Sequence, residues 1–241
     1  MAIDAALMDW CRASGEGVVR VYGWSRPTVS FGRNESVVGR YDPGAIAAAG
    51  CEVVRRPTGG RALMHDGEVT YAVVAPLARG ARLRAAFDDV NTILADALGD
   101  LGVVGVAPAA HPAAPLRPHG AACFAEPSAG ELTVAGRKLV ASAQRADDGI
   151  ALQHGSIIVE DRQARLAAFA ANTGGGVATM PAATLQALVP ALPWAQAVSG
   201  ALSASVGRRF GALQTLDLAL LEPFMARHRA RYADSEWTWR R

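Results

Sequence analysis

A lone lysine and three cysteines are the residues in this sequence with the clearest chemical potential. Lys138 is the only lysine among 24 basic residues, and the cysteines are Cys11, Cys51 and Cys123. A thiolate is a strong nucleophile, and a nearby ammonium group lowers the pKa of a thiol. Cys123 follows a proline-rich stretch and Lys138 begins a predicted strand, so one strand and a turn could bring them together. Spacing alone leaves open a small buried apolar Cys123 and a solvated Lys138.

A glycine turn with flanking arginines is the second candidate. The segment from Arg55 to His65 reads RRPTGGRALMH. Adjacent glycines let the backbone approach a ligand and point N–H groups into a concavity. Arginine donates a fork of hydrogen bonds to carboxylate or phosphate oxygens, and a histidine can donate a hydrogen bond or shuttle a proton. The alternative is a hairpin turn with solvated arginines, because short glycine motifs often match by chance.

The third candidate is the segment Gln153-His154-Gly155-Ser156, inside a predicted strand. A glycine within a strand often marks the close approach of a ligand or of another backbone. The alternative is a bulge with a surface histidine. The other two cysteines, Cys11 on a helix and Cys51 at the start of a strand, are expected to be structural.

Helices and strands alternate along the chain, and these elements must position the candidates. Spacing of apolar residues predicts helices over residues 2–12, 43–49 and 81–99, and alternation predicts strands over 17–24, 27–32, 51–56 and 70–74. Residues 107–120 contain four prolines and are predicted to be a loop. Residues 131–159 are predicted to form a three-stranded meander, with turns at Ala135-Gly136 and at Asp147-Asp148-Gly149.

The rest of the chain has a helical pattern. The predicted helical segments are DRQARLAAFA, TLQALV, WAQAVSGALSASV and LALLEPFMARHRARY, with a glycine-rich break at residues 174–176. In the last of these, the arginines at 227, 229 and 231 are expected to form a solvated helix face, and a docking surface for an acidic partner is the alternative. The pattern as a whole predicts one α+β domain over residues 1–241, with a mixed β-sheet core and flanking helices.

Composition and charge exclude several classes of protein. Apolar residues make up 51% of the chain and charged residues 19%, which excludes a disordered chain or a coiled coil. The net charge of +2 gives no support to nucleic-acid binding. Three cysteines without a CxxC pair indicate neither a disulfide framework nor a zinc site, and reduced thiols fit the cytoplasm. We expect no membrane span and no secretory signal; the helix at Met1 leaves open whether the natural start is upstream.

Taken together, the motifs resemble the family of lipoate-protein ligases, octanoyltransferases and biotin protein ligases. The segment RRPTGGRALMHD followed by EVTY is similar to the family's RRxTGGRAxxHD motif, GRK followed by SAQ is similar to GRKxxxSAQ, and LQHGS is shared. The first and last residues, MAIDAALMDW and YADSEWTW, also resemble the ends of family members. The resemblance implies a biotin/lipoate protein ligase-like, class II synthetase-like catalytic domain.

Two features resemble the octanoyltransferase branch of Gram-positive-type lipoate synthesis. ATP-dependent ligases typically have a third glycine where Arg61 stands and an Asn-Asp pair where Ala122-Cys123 stands. The segment CFAEPS from Cys123 to Ser128 is similar to the CFxxPS segment whose cysteine is the acyl-thioester nucleophile of that branch. The chain departs from the branch at Ala129-Gly130, where an aromatic pair is usual, which would alter the acyl pocket. We also expect no accessory C-terminal domain of the kind found on many ligases, although split ligases exist.

The resemblance implies an octanoyltransferase that needs neither metal nor nucleotide cofactor. The donor would be octanoyl-acyl carrier protein, and the acceptor a lipoyl-domain lysine of the glycine cleavage H protein or of a dehydrogenase acyltransferase subunit. The catalytic residues would be Cys123 and Lys138. The residues predicted to bind substrate are Arg56, Thr58, Gly59, Gly60, Arg61, His65, Ser142, His154 and Gly155. The alternatives are an ATP-dependent lipoate or octanoate ligase, an amidotransferase that uses the H protein as donor and, as the weakest, a non-catalytic binder of lipoyl domains.

Overall fold

The computed structural model describes residues 1–110, 127–171 and 181–240. In chain order, the α-helices of these residues are α1 (Ala2–Ser14), α2 (Pro43–Ala48), α3 (Leu83–Asp100), α4 (Leu185–Leu188), α5 (Trp194–Phe210), α6 (Glu222–Ala233) and α7 (Ser235–Trp239). Two 3-10 helices cover Gln163–Phe169 and Leu218–Leu221. The strands are β1 (Val18–Tyr22), β2 (Thr28–Phe31), β3 (Glu52–Arg55), β4 (Leu63–His65), β5 (Glu68–Pro76), β6 (Val106–Pro108), β7 (Leu132–Val134), β8 (Arg137–Lys138), β9 (Val140–Asp147) and β10 (Ile150–Ile158).

The strands form one four-stranded and two three-stranded sheets. The large sheet is antiparallel, in the order β1-β5-β10-β9. In the second sheet, β2 lies between β3, to which it is parallel, and β4, to which it is antiparallel. The third sheet has the order β6-β7-β8. The predicted α+β class with a mixed sheet core and flanking helices is confirmed.

The two faces of the large sheet have different partners. On one face, Val69, Tyr71 and Ile157 join a core with apolar residues of α3 and α5. On the other face, α1 packs on the half of the sheet that contains Val74 and Leu152. Paired residues of neighbouring strands share a face, so Thr70, His154 and Ser156 lie on the same face as α1 but nearer the other end of the sheet. The polar side chains at this end of the sheet can therefore line a site.

Most predicted elements are present, and the predicted turns have the expected backbone. Ala135 and Gly136 have φ of 50° and 74°, and Asp148 and Gly149 have φ of 46° and 73°. Two successive positive φ values are the mark of a type I′ hairpin turn, which suits small or Asp residues followed by glycine.

Among the described helices, none combines the length and the hydropathy that a membrane span requires.

Three predictions need correction. The meander is divided, because its middle strand breaks at Leu139: Arg137–Lys138 pairs with β7, whereas Val140–Asp147 pairs with β10 in the large sheet. The predicted loop over 107–120 overlaps a strand, since Val106–Pro108 pairs with β7 at a sheet edge, where proline is tolerated. The predicted helical segment DRQARLAAFA is helical only over Gln163–Phe169, as a 3-10 helix. The glycine-rich break at 174–176 lies outside the described residues.

The last helical segment has the exposure that the sequence predicts. The arginines at 227, 229 and 231 all lie on the exposed surface of α6, and Arg229 pairs with Glu222 on the same helix. Cys11 and Cys51 are both buried free thiols, as expected for structural residues. Burial raises the pKa of Cys11, which makes this thiol less nucleophilic near neutral pH.

Candidate active site

A cavity of about 170 Å³ lies between the polar end of the large sheet and the glycine turn. It is lined by seven of the residues predicted to bind substrate: Arg56, Gly60, Arg61, His65, Ser142, His154 and Gly155. Ser156 also lines this cavity, and its hydroxyl is buried without a hydrogen-bond partner among the described residues.

The glycine turn from Pro57 to Arg61 connects β3 to β4, and Arg56 fixes its shape. The Arg56 guanidinium donates to the carbonyls of Gly59 and Arg61, at 2.7–3.0 Å, and to the carbonyl of Ser30 at 3.0 Å. Gly60 has a φ of 96°, and a Cβ at this position would lie 2.6 Å from Arg56 Nη2. The turn therefore requires glycine at 60, and Arg56 has a scaffold role in addition to lining the cavity.

Arg55 is fully buried and anchors the end of the described chain beside the turn. Its guanidinium donates to the carbonyls of Gly32 (2.6 Å), Glu35 (2.9 Å), Thr238 (3.0 Å) and Arg240 (2.8 Å). The alternative of a hairpin turn with solvated arginines is therefore wrong for Arg55 and Arg56. Arg61 is partly exposed at the wall of the cavity.

His154 lies in the middle of a buried chain of hydrogen bonds. Its Nδ1 is 3.0 Å from Asp4 Oδ2, and its Nε2 is 2.6 Å from Thr58 Oγ1. Burial opposes the ionisation of Asp4, but the hydrogen bond with His154 and nearby positive charges, including that of Arg20, give Asp4 a lowered pKa. Burial is also the largest influence on His154 and lowers its pKa, so the imidazole is neutral at pH 7.

The charges of Asp4 and His154 determine which nitrogen of the His154 ring carries the proton. A neutral His154 beside an ionised Asp4 must donate from Nδ1, which leaves Nε2 to accept from the Thr58 hydroxyl. The two hydrogen bonds of His154 connect α1 to the large sheet and to the glycine turn. The alternative of a bulge with a surface histidine is wrong, because β10 pairs without a break and His154 is 4% exposed.

His65 projects from β4 into a second polar cluster on the cavity wall. Its Nε2 lies 2.7 Å from Ser30 Oγ and its Nδ1 contacts Glu68 Oε1, while its ring stacks on Trp24 with 4.1 Å between ring centroids. Ser30 Oγ also accepts a hydrogen bond from Arg56. These partners fix the orientation of the His65 ring, which gives the cavity a preorganised wall.

Lys138 is buried, and its ammonium group is held by a carboxylate. Lys138 Nζ lies 2.7 Å from Glu131 Oε2, with side-chain exposures of only 2% and 4%. Glu131 lines the cavity, and it also accepts hydrogen bonds from the backbone N–H groups of Ser128 (2.7 Å) and Ser142 (3.3 Å). The alternative of a solvated Lys138 at a strand end is therefore wrong, and the lysine lies behind the cavity residue Glu131.

The predicted nucleophile Cys123 lies outside the described residues. Among those described, Ser142, His154 and Gly155 line the cavity, and Lys138 lies behind its wall, in contact with the lining residue Glu131. Thr58 and Gly59 belong to the turn behind this wall, where Thr58 contacts His154 and Gly59 contacts Arg56.

Sequence reasoning missed the acidic residues Asp4, Glu68 and Glu131. All three are buried or partly buried and bond to a predicted site residue, namely His154, His65 and Lys138. For two of them the available signal was position: Glu131 lies three residues after the CFxxPS segment, and Glu68 lies three residues after the histidine of the glycine motif. No group of three or more His, Cys, Asp or Glu side chains arranged to hold a metal ion occurs in the described part of the chain.

In this α+β fold, the glycine turn and the Glu131 partner of the buried Lys138 line one cavity. A family model for the lipoyl protein ligase A/B catalytic domain matches residues 1–199. The chain belongs to this family.

Curated proteins with similar sequences include the octanoyltransferase LipM of Geobacillus kaustophilus and that of Moorella thermoacetica. The first is 39% identical over 171 residues and the second 40% identical over 164 residues. Each alignment covers 66% of this chain and 60% of the relative, so the chain spans about 60% of the length of the relatives that it matches.

The fold is similar to that of a solved lipoate-protein ligase A bound with ATP. The TM-score is 0.80 at 19% sequence identity, and the superposition covers 99% of this chain and 92% of the other. This agreement confirms the lipoate protein ligase-like fold.

Proposed function

We propose that the protein is an octanoyltransferase of the protein lipoylation pathway, with one catalytic domain over residues 1–241. It takes an octanoyl group from acyl carrier protein and places it on a lysine of a lipoyl domain. Support comes from the similarity to LipM octanoyltransferases and from the CFxxPS segment at Cys123. The observation that carries the proposal is the contact of the buried Lys138 with Glu131, which lines a cavity together with other motif residues.

The first half-reaction forms the acyl-enzyme. The Cys123 thiolate, favoured by the positive charge of Lys138, attacks the carbonyl carbon of the carrier thioester. Backbone N–H groups near the strands that contain Lys138 and Gly155 stabilise the oxyanion of the tetrahedral intermediate. The bond to the carrier sulfur then breaks, and the departing carrier thiolate takes a proton from Lys138. The products are an octanoyl thioester on Cys123, a free carrier thiol and a neutral Lys138.

The second half-reaction makes the amide. The neutral amine of the lipoyl-domain lysine attacks the thioester on Cys123, and Lys138 accepts the proton that this nitrogen loses. The carbon–sulfur bond breaks, which restores the Cys123 thiolate and the Lys138 ammonium. Because a thioester is an activated acyl group, the sequence runs without ATP, metal or other cofactor. His154, Gly155 and the glycine turn, with Arg61 and His65, line the site that receives the acyl substrate.

Intact-protein mass spectrometry tests this function. Incubation with octanoyl-acyl carrier protein in ATP-free buffer should add one octanoyl mass to the protein, and hydroxylamine should remove it. Cys123→Ala should give no adduct, whereas Cys51→Ala is the matched control and should be acylated. A full adduct on Cys123→Ala, or one mapped to Cys11 or Cys51, would exclude the proposed nucleophile.

An ATP-dependent lipoate or octanoate ligase is the second candidate function. The observation that favours it is the similar fold of a lipoate-protein ligase A bound with ATP. In that reaction Lys138 would contact the carboxylate and phosphate of an acyl-adenylate, and Cys123 would be incidental. Octanoylation of an apo lipoyl domain that requires both ATP and free octanoate or lipoate would favour the ligase.

Donor, acceptor and compartment complete the proposal. An apo glycine cleavage H protein and an apo dehydrogenase lipoyl domain are the acceptors to compare. Transfer from the octanoylated H protein, without carrier protein, would instead indicate an amidotransferase. Binding of a lipoyl domain without any acyl transfer would indicate a non-catalytic binder. We place the enzyme in the cytoplasm, where its thiols would remain reduced.

A further inference from the structure

Glu131 connects two parts of the site that are separated in the sequence. Its Oε2 accepts from the Ser128 backbone N–H and contacts Lys138 Nζ, both at 2.7 Å. Its Oε1 accepts from the Ser142 backbone N–H at 3.3 Å. Ser128 is the last residue of the CFxxPS segment, and Ser142 belongs to β9. One buried carboxylate therefore joins the end of the segment that contains Cys123, the catalytic lysine and the large sheet.

The burial of this ion pair gives the carboxylate an effect on proton transfer. Charges attract more strongly in a site from which water is excluded, and an isolated charge there is costly. The Glu131 carboxylate therefore stabilises Lys138 as an ammonium ion, the form that this lysine must reach when it accepts a proton from the attacking amine. Because both oxygens of the carboxylate are already bound to the scaffold, Lys138 Nζ is held in one place.

We infer that Glu131 is the positioning residue for Lys138, holding its amine behind the cavity wall of which Glu131 is part and stabilising the ammonium ion formed when the acceptor amine is deprotonated. This inference rests on the proposed function, since it assigns Glu131 a part in the transfer half-reaction. This role requires no contact of Glu131 with the acyl group or the acceptor. Glu131 acts through Lys138.

A double-mutant cycle on the transfer half-reaction tests the inference. Single-turnover transfer from the octanoylated enzyme to an apo lipoyl domain is measured for wild type, Glu131→Gln, Lys138→Met and the double variant. Glu131→Gln preserves volume but removes the charge, and we expect transfer to slow by about 10²-fold or more, the size of a general acid–base contribution. Because Glu131 acts through Lys138, the double variant should be no slower than Lys138→Met alone.

Matched controls separate this result from a loss of fold and from a failure of the proposed function. Glu222→Gln removes an exposed carboxylate paired with Arg229 and should transfer at the wild-type rate. If wild type forms no octanoyl adduct, the proposed function fails. If wild type transfers and Glu131→Gln transfers equally fast, or if the two single effects multiply in the double variant, the role of Glu131 is overturned while the function stands.

A measurement on the unaltered protein covers the case in which Glu131→Gln does not fold. The sequence has one lysine, so protein labelled with ¹⁵N-lysine has a single side-chain nitrogen to detect by NMR. A buried ammonium paired with Glu131 should give a slowly exchanging NH₃⁺ signal at pH 7. A rapidly exchanging amine with no detectable NH₃⁺ signal would overturn the inference.

Discussion

The hydroxyl of Tyr71 lies 2.7 Å from Ser142 Oγ, although the two residues belong to strands that are not neighbours. Gly155 of β10 is paired with Tyr71 on one side and with Ser142 on the other. A Cβ at position 155 would lie 2.2 Å from the Ala141 carbonyl oxygen and 2.8 Å from the Tyr71 ring. The tyrosine thus crosses a strand at the one place where that strand has no side chain. Burial is the largest influence on Tyr71 and raises its pKa to about 12, so it remains a neutral hydroxyl.

Gly155→Ala should destabilise the protein by about 1–3 kcal/mol, the usual cost of forcing extra atoms into a packed site. The added methyl group collides with the backbone of β9, which cannot move without disturbing the sheet. Urea denaturation followed by circular dichroism measures the change. Gly200→Ala is the matched control, because its Cβ on α5 would meet nothing within 4 Å, and alanine in a helix should stabilise by about 0.5–1 kcal/mol. Equal stability of the two variants would contradict the crossing of Tyr71.

The fold was largely predictable because its elements have clear local patterns. Alternation of apolar and polar residues, with the Ala135-Gly136 turn, identified the strands on either side of that turn. The helical spacing of apolar residues from Leu83 to Leu98 identified α3. The break of a strand at Leu139 was not predicted, because the apolar run from Leu139 to Ala141 also fits one continuous buried strand, and the change of partner strand depends on tertiary packing. The separation of β1 from β2 into different sheets is also a tertiary effect that local sequence does not encode.

The candidate site was predictable in its motifs but not in its buried partners. Residue type and spacing singled out the glycine turn, His154 and Lys138 as candidates with structural alternatives left open, and the family resemblance implied their roles. The use of Arg55 and Arg56 as scaffold was missed, because a sequence gives an arginine's charge but not which carbonyl groups fold around it. Asp4 lies 150 residues from His154, so their pairing depends on the packing of α1 against the sheet.

The buried pair of Asp4 and His154 predicts a stability that falls in mild acid. Burial lowers the pKa of His154 below its ordinary value of 6.5, so the unfolded state binds a proton more readily than the folded state does. The stabilisation is complete above about pH 6.5 and is lost as the pH falls from there toward the lowered pKa of the folded state. Thermal unfolding of wild type between pH 5 and 8 should show this loss, and His154→Gln should show a smaller one.

His228 provides the control for this pH dependence. It also bonds an aspartate, Asp9, at 2.8 Å, but its side chain is 18% exposed compared with 5% for His154. His228→Gln should retain the wild-type change in melting temperature with pH. A pH dependence that disappears in His228→Gln and persists in His154→Gln would assign the effect to the wrong histidine.

Arg55→Met should destabilise the protein by at least about 3 kcal/mol, because it removes the buried guanidinium that donates to the carbonyl groups of Gly32, Glu35, Thr238 and Arg240. Methionine retains the apolar stem, so the loss reports the hydrogen bonds rather than the packing. Chemical denaturation measures it, and Arg229→Met, an exposed arginine on α6, should change stability by less than about 0.5 kcal/mol. A small effect at Arg55 would mean that the end of the described chain is not anchored through this guanidinium.

Lys138→Arg should separate the two half-reactions. Arginine retains the positive charge that favours the Cys123 thiolate and can still pair with Glu131, but it stays protonated in proteins and cannot accept a proton from the attacking amine. The variant should therefore still form some octanoyl adduct yet transfer it to the lipoyl domain about 10²–10⁴-fold more slowly than wild type. Single-turnover measurement of both steps gives the two rates, and the melting temperature shows whether the larger side chain fits the buried site. Transfer at the wild-type rate would mean that Lys138 contributes only charge or position, and the proton acceptor would then have to be sought at His154 or His65.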